Sequence, residues 1–232
     1  MPSATTCYRA RIEADTRRDG RKLKVGVDIP SGEEVRAILA AAGPKSRPML
    51  LTAVFTGLRS SELRGVRWSD IDLKKGELHV AQRADRYGVI GNPKSEARHR
   101  TIPLGPLVLN ALREWKLMCP RGEYDLVFPA PDGGIALHNN VVRPFKAAVR
   151  AAGITGAKGG PKYTGPHALR HFFASWCINP VERGGQGLPP KDVQRLLGHS
   201  TLAMTTDVYG HLFPESEDAA KRLADAERAL LA

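Results

Sequence analysis

The stretch GPHALRHFFA, from Gly165 to Ala174, and the stretch LLGHSTLAMTTDVYGH, from Leu196 to His211, decide how the rest of the chain reads. His167 and Arg170 are three apart, so on a helix they share one face. Gly198 stands where a helix C-cap is expected, which places His199 just past the helix end. Further on, Tyr209 stands alone between a threonine-rich turn and Gly210. Carboxylates are sparse, and only Asp207 falls close to the later histidines. Cationic donors with one phenol suit an anionic phosphoryl group better than a metal ion. An arginine fork takes two non-bridging phosphate oxygens at once, and a tyrosine oxygen can be the nucleophile of a covalent intermediate. His171 has the i, i+4 spacing from His167 of a two-histidine metal helix, but the glutamate that H-E-x-x-H requires is missing. For His171 and for His211 the expectation is packing or hydrogen bonding.

About a hundred residues upstream the chain reads TGLRSSEL, from Thr56 to Leu63. In this order and at this separation, TGLRSSEL and then HALRH, LGHS and YGH resemble the two signature boxes of the tyrosine recombinases, the phage integrase family. The resemblance covers about residues 29–213. It implies an α+β fold: a mainly helical catalytic domain with a small antiparallel β-sheet. The activity it implies is site-specific DNA recombination, in which strands are cleaved and rejoined through a 3′-phosphotyrosyl intermediate without a metal or other cofactor. Six positions of the family's site are filled, by Arg59, Lys94, His167, Arg170, His199 and Tyr209.

The chemistry explains the residue types. A covalent protein–phosphate link conserves the energy of the broken phosphodiester, and a phenol with a pKa of ~10 leaves readily when the DNA hydroxyl returns. Arg59 and Arg170 would pair with the non-bridging oxygens as charge gathers there. The departing 5′ oxygen needs a proton, and Lys94 is the candidate acid. His167 would accept the tyrosine proton or orient the phosphate; His199 would donate to a phosphate oxygen. The implied partners are double-stranded DNA and further protomers, assembling as a tetramer through the C-terminal tail. Three other readings stay open: a type IB topoisomerase-like DNA relaxer, a non-cleaving DNA-binding regulator of the same fold, and, last, a metal-dependent nuclease, for which clustered carboxylates are missing.

Bulk properties agree with a nucleic-acid partner. The formal net charge is +11 over 232 residues, which favours a polyanion. With 42% hydrophobic residues the chain can bury a core. Cys7, Cys119 and Cys177 are far apart and odd in number, so neither a disulfide framework nor a metal spacing emerges, and a reducing cytoplasm is expected. No apolar run approaches the ~20 residues of a membrane span.

Read in order, residues 1–28 are a basic linker or arm, 29–213 the catalytic domain and 214–232 a tail helix. About 28 residues are too few for the N-terminal core-binding domain that most family members carry. Ser31 with Glu34 signals a capping box, opening a helix with Val35, Ile38 and Leu39 on one face. An apolar helix over 47–56 ends at Gly57, and Ser60 is expected to cap the next. Alternation around Glu77–Ala84 and Arg98–Leu104 predicts strands, with Lys94 in the Gly/Pro-rich loop between them. Helices follow over 107–115 and 139–152, the second with Val142, Phe145, Val149 and Ala152 as its core face. Lys158 and Lys162 lie in a loop and are candidate phosphate contacts. Phe172, Phe173 and Trp176 give the His167 helix a buried side. The Gly/Pro-rich segment 179–190 is longer than the resemblance leads one to expect.

Overall fold

A computed structural model describes residues 22–92, 99–214 and 219–231, with the side chains of 219–222 outside that description. Helix α1 (Gly32–Ala41) opens with a complete capping box. Ser31 Oγ accepts from the Glu34 amide at 3.2 Å, and Glu34 Oε2 accepts from the Ser31 amide at 2.8 Å. Val35, Ile38 and Leu39 form its buried face.

Helix α2 (Arg47–Thr56) is the centre of the packing, against helix α4 (Pro106–Met118) and helix α6 (His167–Ile178). An apolar sequence with no polar stripe predicts burial on every side, and Leu50, Leu51 and Val54 are buried. Its two buried threonines satisfy their hydroxyls inside the helix, Thr52 on the Pro48 carbonyl and Thr56 on the Thr52 carbonyl. Gly57 ends it at φ 59°, and a Cβ there would stand 2.3 Å from the Phe173 ring. Both the turn and the contact with α6 therefore need glycine. Helix α3 (Ser60–Gly65) follows at once. Its N-cap is Arg59 and not Ser60, because the Glu62 side chain reaches back to the Arg59 amide.

The sheet orders strands β1 (Ile71–Asp72), β2 (Glu77–Val80) and β5 (Arg100–Pro103) antiparallel, with Leu78 opposite Ile102 and Val80 opposite Arg100. Strands β3 (Arg83–Ala84) and β4 (Ile90–Gly91) form a separate hairpin. Lys94 lies beyond β4, outside the described residues. Helix α5 (His138–Ala151) buries Val141, Phe145, Ala148 and Val149, so its core stripe is turned from the expected Val142 and Ala152 toward Val141 and Ala148. Lys162 is occupied by an ion pair with Glu34 at 2.6 Å.

Segment 179–190 folds back on the end of α6. The Trp176 and Cys177 carbonyls accept from the Gln186 and Leu188 amides, and Trp176 Nε1 donates to the Gly184 carbonyl. The segment thus supplies donors to carbonyls that a helix end leaves without intrahelical partners. Helices α7 (Pro190–Leu197) and α8 (Ala203–Tyr209) come next; the threonine-rich stretch before Tyr209, expected as a turn, is helical, and Tyr209 ends that helix. Helix α9 (Ala219–Leu231) follows, with Leu223, Leu230 and Leu231 exposed. Among the described residues no helix is long and apolar enough to cross a membrane.

Candidate active site

Three arginines from three distant parts of the chain converge on the last turn of α7. Arg100 Nε donates to the Leu196 carbonyl at 2.7 Å, Arg170 Nη2 to the Leu197 carbonyl at 2.6 Å, and Arg59 to the Leu197 and Gly198 carbonyls at 3.3 Å each. A helix C-terminus leaves these carbonyls unpaired and carries partial negative charge, so a cationic donor satisfies both demands at once. Arg170 also donates to the Gly57 carbonyl at 2.6 Å, which ties the second box to the first. Gly198 adopts φ 61°, and a Cβ there would meet the Arg100 guanidinium at 2.8 Å; this turn delivers His199 to the site.

Glu62 is the counter-charge. Its carboxylate takes two bonds from Arg100, at 2.9 and 3.2 Å, and one from Arg59 Nη1 at 2.9 Å, all with Glu62 and Arg100 buried. Burial pushes its pKa up, but bonding and charge from Arg100, then the charges of Arg59 and Arg170, bring it down to about 2. Neither Glu62 nor Arg100 stands out from the sequence as a site residue. A signal for Arg100 exists, since in an alternating strand it falls on the same face as the buried Ile102 and Leu104.

Glu62→Ala is expected to destabilise the fold by roughly 3–5 kcal/mol, because it leaves Arg100 as a buried charge without its carboxylate. The native carboxylate titrates at about 2 against 4.5 when unperturbed. Its contribution is therefore fully present above about pH 4.5 and fades as the pH falls through about 2. Urea unfolding across that range measures both effects. An unchanged unfolding free energy in the variant would make the ion cluster a bystander.

Tyr209 is buried, and its hydroxyl lies 2.7 Å from His171 Nδ1. His167 is exposed, and its ring packs edge-on against His171 with centroids 4.5 Å apart. His199 Nδ1 lies 2.9 Å from Thr205 Oγ1 at the start of α8, so the loop that carries this histidine is pinned to the helix that carries Tyr209. Burial, then the charges of Arg170, Arg59 and Arg100, lower the His199 pKa to about 3, so His199 is neutral at pH 7. Burial raises the Tyr209 phenol to about 12 against the pull of Arg170 and Arg59. His211 is turned away from this chemistry, bonded to the Leu23 carbonyl at 2.7 Å.

The structure brings Arg59, His167, Arg170, His199 and Tyr209 into one region; Lys94 falls outside the described residues. Beside them opens a basin of about 540 Å³ whose walls carry Arg59, Arg64, Arg83, Arg86 and His167 against one carboxylate, Asp85, a net cationic recess suited to a phosphodiester backbone. Among the described residues no group of three or more His, Cys, Asp or Glu is placed to hold a metal ion.

The family model for the phage integrase family matches residues 31–216, and the chain belongs to that family. Its relatives include the tyrosine recombinase XerC of Xylella fastidiosa (strain 9a5c), 34% identical over 170 residues that make up 73% of this chain and 49% of that protein. A tyrosine recombinase XerC-like protein of Caldanaerobacter subterraneus subsp. tengcongensis is 29% identical over 221 residues, 84% of this chain and 53% of that protein. The chain thus spans about half the length of the curated relatives it matches. Its fold is shared with the Tn1549 transposon integrase, at TM-score 0.68 and 23% identity over 92% of this chain and 69% of that one.

Proposed function

We propose that this chain is the catalytic domain of a site-specific DNA recombinase that cuts and rejoins strands through a phosphotyrosine link. The observation that carries the reading is the shared anchor: Arg59 and Arg170 both hang on the Leu197 carbonyl, and the chain then runs through His199 to Tyr209. Tyr209 Oη attacks the phosphorus and the bond to the 5′ oxygen breaks. The 3′ phosphate stays on the tyrosine, and the 5′ oxygen leaves with a proton from Lys94. Arg59 and Arg170 balance the charge that builds on the non-bridging oxygens, with His199 as a further hydrogen-bonding group there. In the reverse step a 5′ hydroxyl attacks the phosphotyrosine, and the phenol leaves.

Double-stranded DNA is the partner this chemistry requires, and the Tn1549 integrase was solved in complex with circular intermediate DNA. The test is a nicked double-stranded substrate that loses a short 5′ fragment on cleavage and so traps the link. The wild-type chain is expected to give a protein–DNA adduct on a denaturing gel in excess EDTA. Dependence of that adduct on Mg²⁺, or its absence from any substrate cut by the chain, would overturn the reading.

Assembly follows from the tail. Leu223, Leu230 and Leu231 on α9 are exposed, an apolar set that would be covered by a neighbouring protomer in a tetramer on DNA. Deleting residues 215–232 is expected to spare adduct formation at a single site and to abolish strand exchange between two sites. Undiminished exchange would leave the tail without this role.

A further inference from the structure

Among the described residues, the Tyr209 hydroxyl is hydrogen-bonded to His171, a residue to which sequence reasoning gives only a packing or bonding role. A phenol raised to about 12 is ionised in only about one molecule in 10⁵ at pH 7, so attack calls for a base within hydrogen-bond reach. His171 Nδ1, at 2.7 Å, meets that distance. His167 is placed differently: it is exposed and lines the basin beside Arg59.

Resting on the reading given above, we infer that His171 is the general base of the cleavage step, its Nδ1 taking the proton of Tyr209 as Oη bonds to phosphorus. This requires the neutral tautomer with hydrogen on Nε2, which leaves the Nδ1 lone pair facing the hydroxyl. Burial, then the charge of Arg170, lowers the His171 pKa to about 4 although Asp28 pulls it up, so the ring is neutral at pH 7. The His167 ring, edge-on at 4.5 Å, helps fix its plane.

The proton count closes over the cycle. In cleavage one proton moves from Oη to Nδ1, the Oη–phosphorus bond forms, the bond to the 5′ oxygen breaks, and that oxygen takes a proton from Lys94. In rejoining the 5′ hydroxyl gives its proton back to Lys94 and attacks phosphorus, and the departing phenolate recovers its proton from the His171 imidazolium.

The test uses the full chain and the trapping substrate. His171→Gln keeps a polar group but cannot take the proton; His171→Phe fills the same space. Both are expected to bind DNA as the wild type does and to form adduct roughly 10²–10⁴-fold more slowly. Tyr209 is then replaced by a fluorinated tyrosine, whose phenol is more acidic and needs a base less. In the His171→Gln background this replacement is expected to restore much of the rate, a recovery that a packing role does not produce. Wild-type rates in either variant, or a folded, slow His171→Gln chain that gains nothing from the fluorinated tyrosine, would overturn the assignment. Failure of the unsubstituted chain to form any adduct overturns instead the reading of the whole site, and this assignment with it.

Discussion

Tyr209→Phe is expected to bind DNA nearly as the wild type does and to form no covalent adduct at all. The ring is buried, and phenylalanine preserves its shape, so the packing of α8 survives. Among the described residues the loss to the fold is one hydrogen bond, to His171 Nδ1, typically worth about 1 kcal/mol. The loss to chemistry is the attacking atom itself. Binding is measured by gel shift and the adduct on a denaturing gel with the same trapping substrate. An adduct that persisted in this variant would place the nucleophile elsewhere in the chain.

Lys94→Ala is expected to slow cleavage roughly 10²–10⁴-fold, the usual range for one acid–base group. Its proposed task is confined to protonating the 5′ oxygen, so DNA binding should change little. Replacing the bridging 5′ oxygen with sulfur gives a leaving group that needs no proton. On that substrate Lys94→Ala should recover most of its rate, while Arg170→Ala should not, because Arg170 balances charge on the non-bridging oxygens. Equal slowness of Lys94→Ala on both substrates would make the lysine a positioning group. Near-normal cleavage of the ordinary substrate would make it a solvated loop residue.

Helix ends were the most legible part of the fold, because the residues that set them act locally. Ser31 with Glu34 marks the start of α1, and Gly57 and Gly198 take the left-handed turns their positions require. The face of α5 is legible at Phe145 and Val149 but not at its edge, since Val141 and Val142 are equally apolar and only their neighbours decide which turns inward. Arg59, His167, Arg170, His199 and Tyr209 are expected together because their stretches resemble the two boxes of the family, and the structure brings them into one region. Glu62 and Arg100 are not singled out in this way. Their meaning lies in a contact across 38 residues, and a lone glutamate or arginine in a sequence reads as surface. His171 shows the same limit on a shorter scale: its neighbour Arg170 is recognisable by pattern, but its own partner Tyr209 is 38 residues away.

The arginines' hold on the last carbonyls of α7 bears on how this site tolerates sequence drift. A cation oriented only by a carboxylate can be released by a single replacement of that side chain. Arg170 is oriented by the main chain of Gly57 and Leu197, and Arg59 partly by that of Leu197 and Gly198. Replacement of Leu196 or Leu197 alters packing yet leaves those oxygens in place for as long as the helix ends where it does. Variation is thus channelled: the side chains beneath the cationic pair are open to exchange among apolar residues, while Gly198, whose turn ends the helix and whose missing Cβ makes room for Arg100, is not.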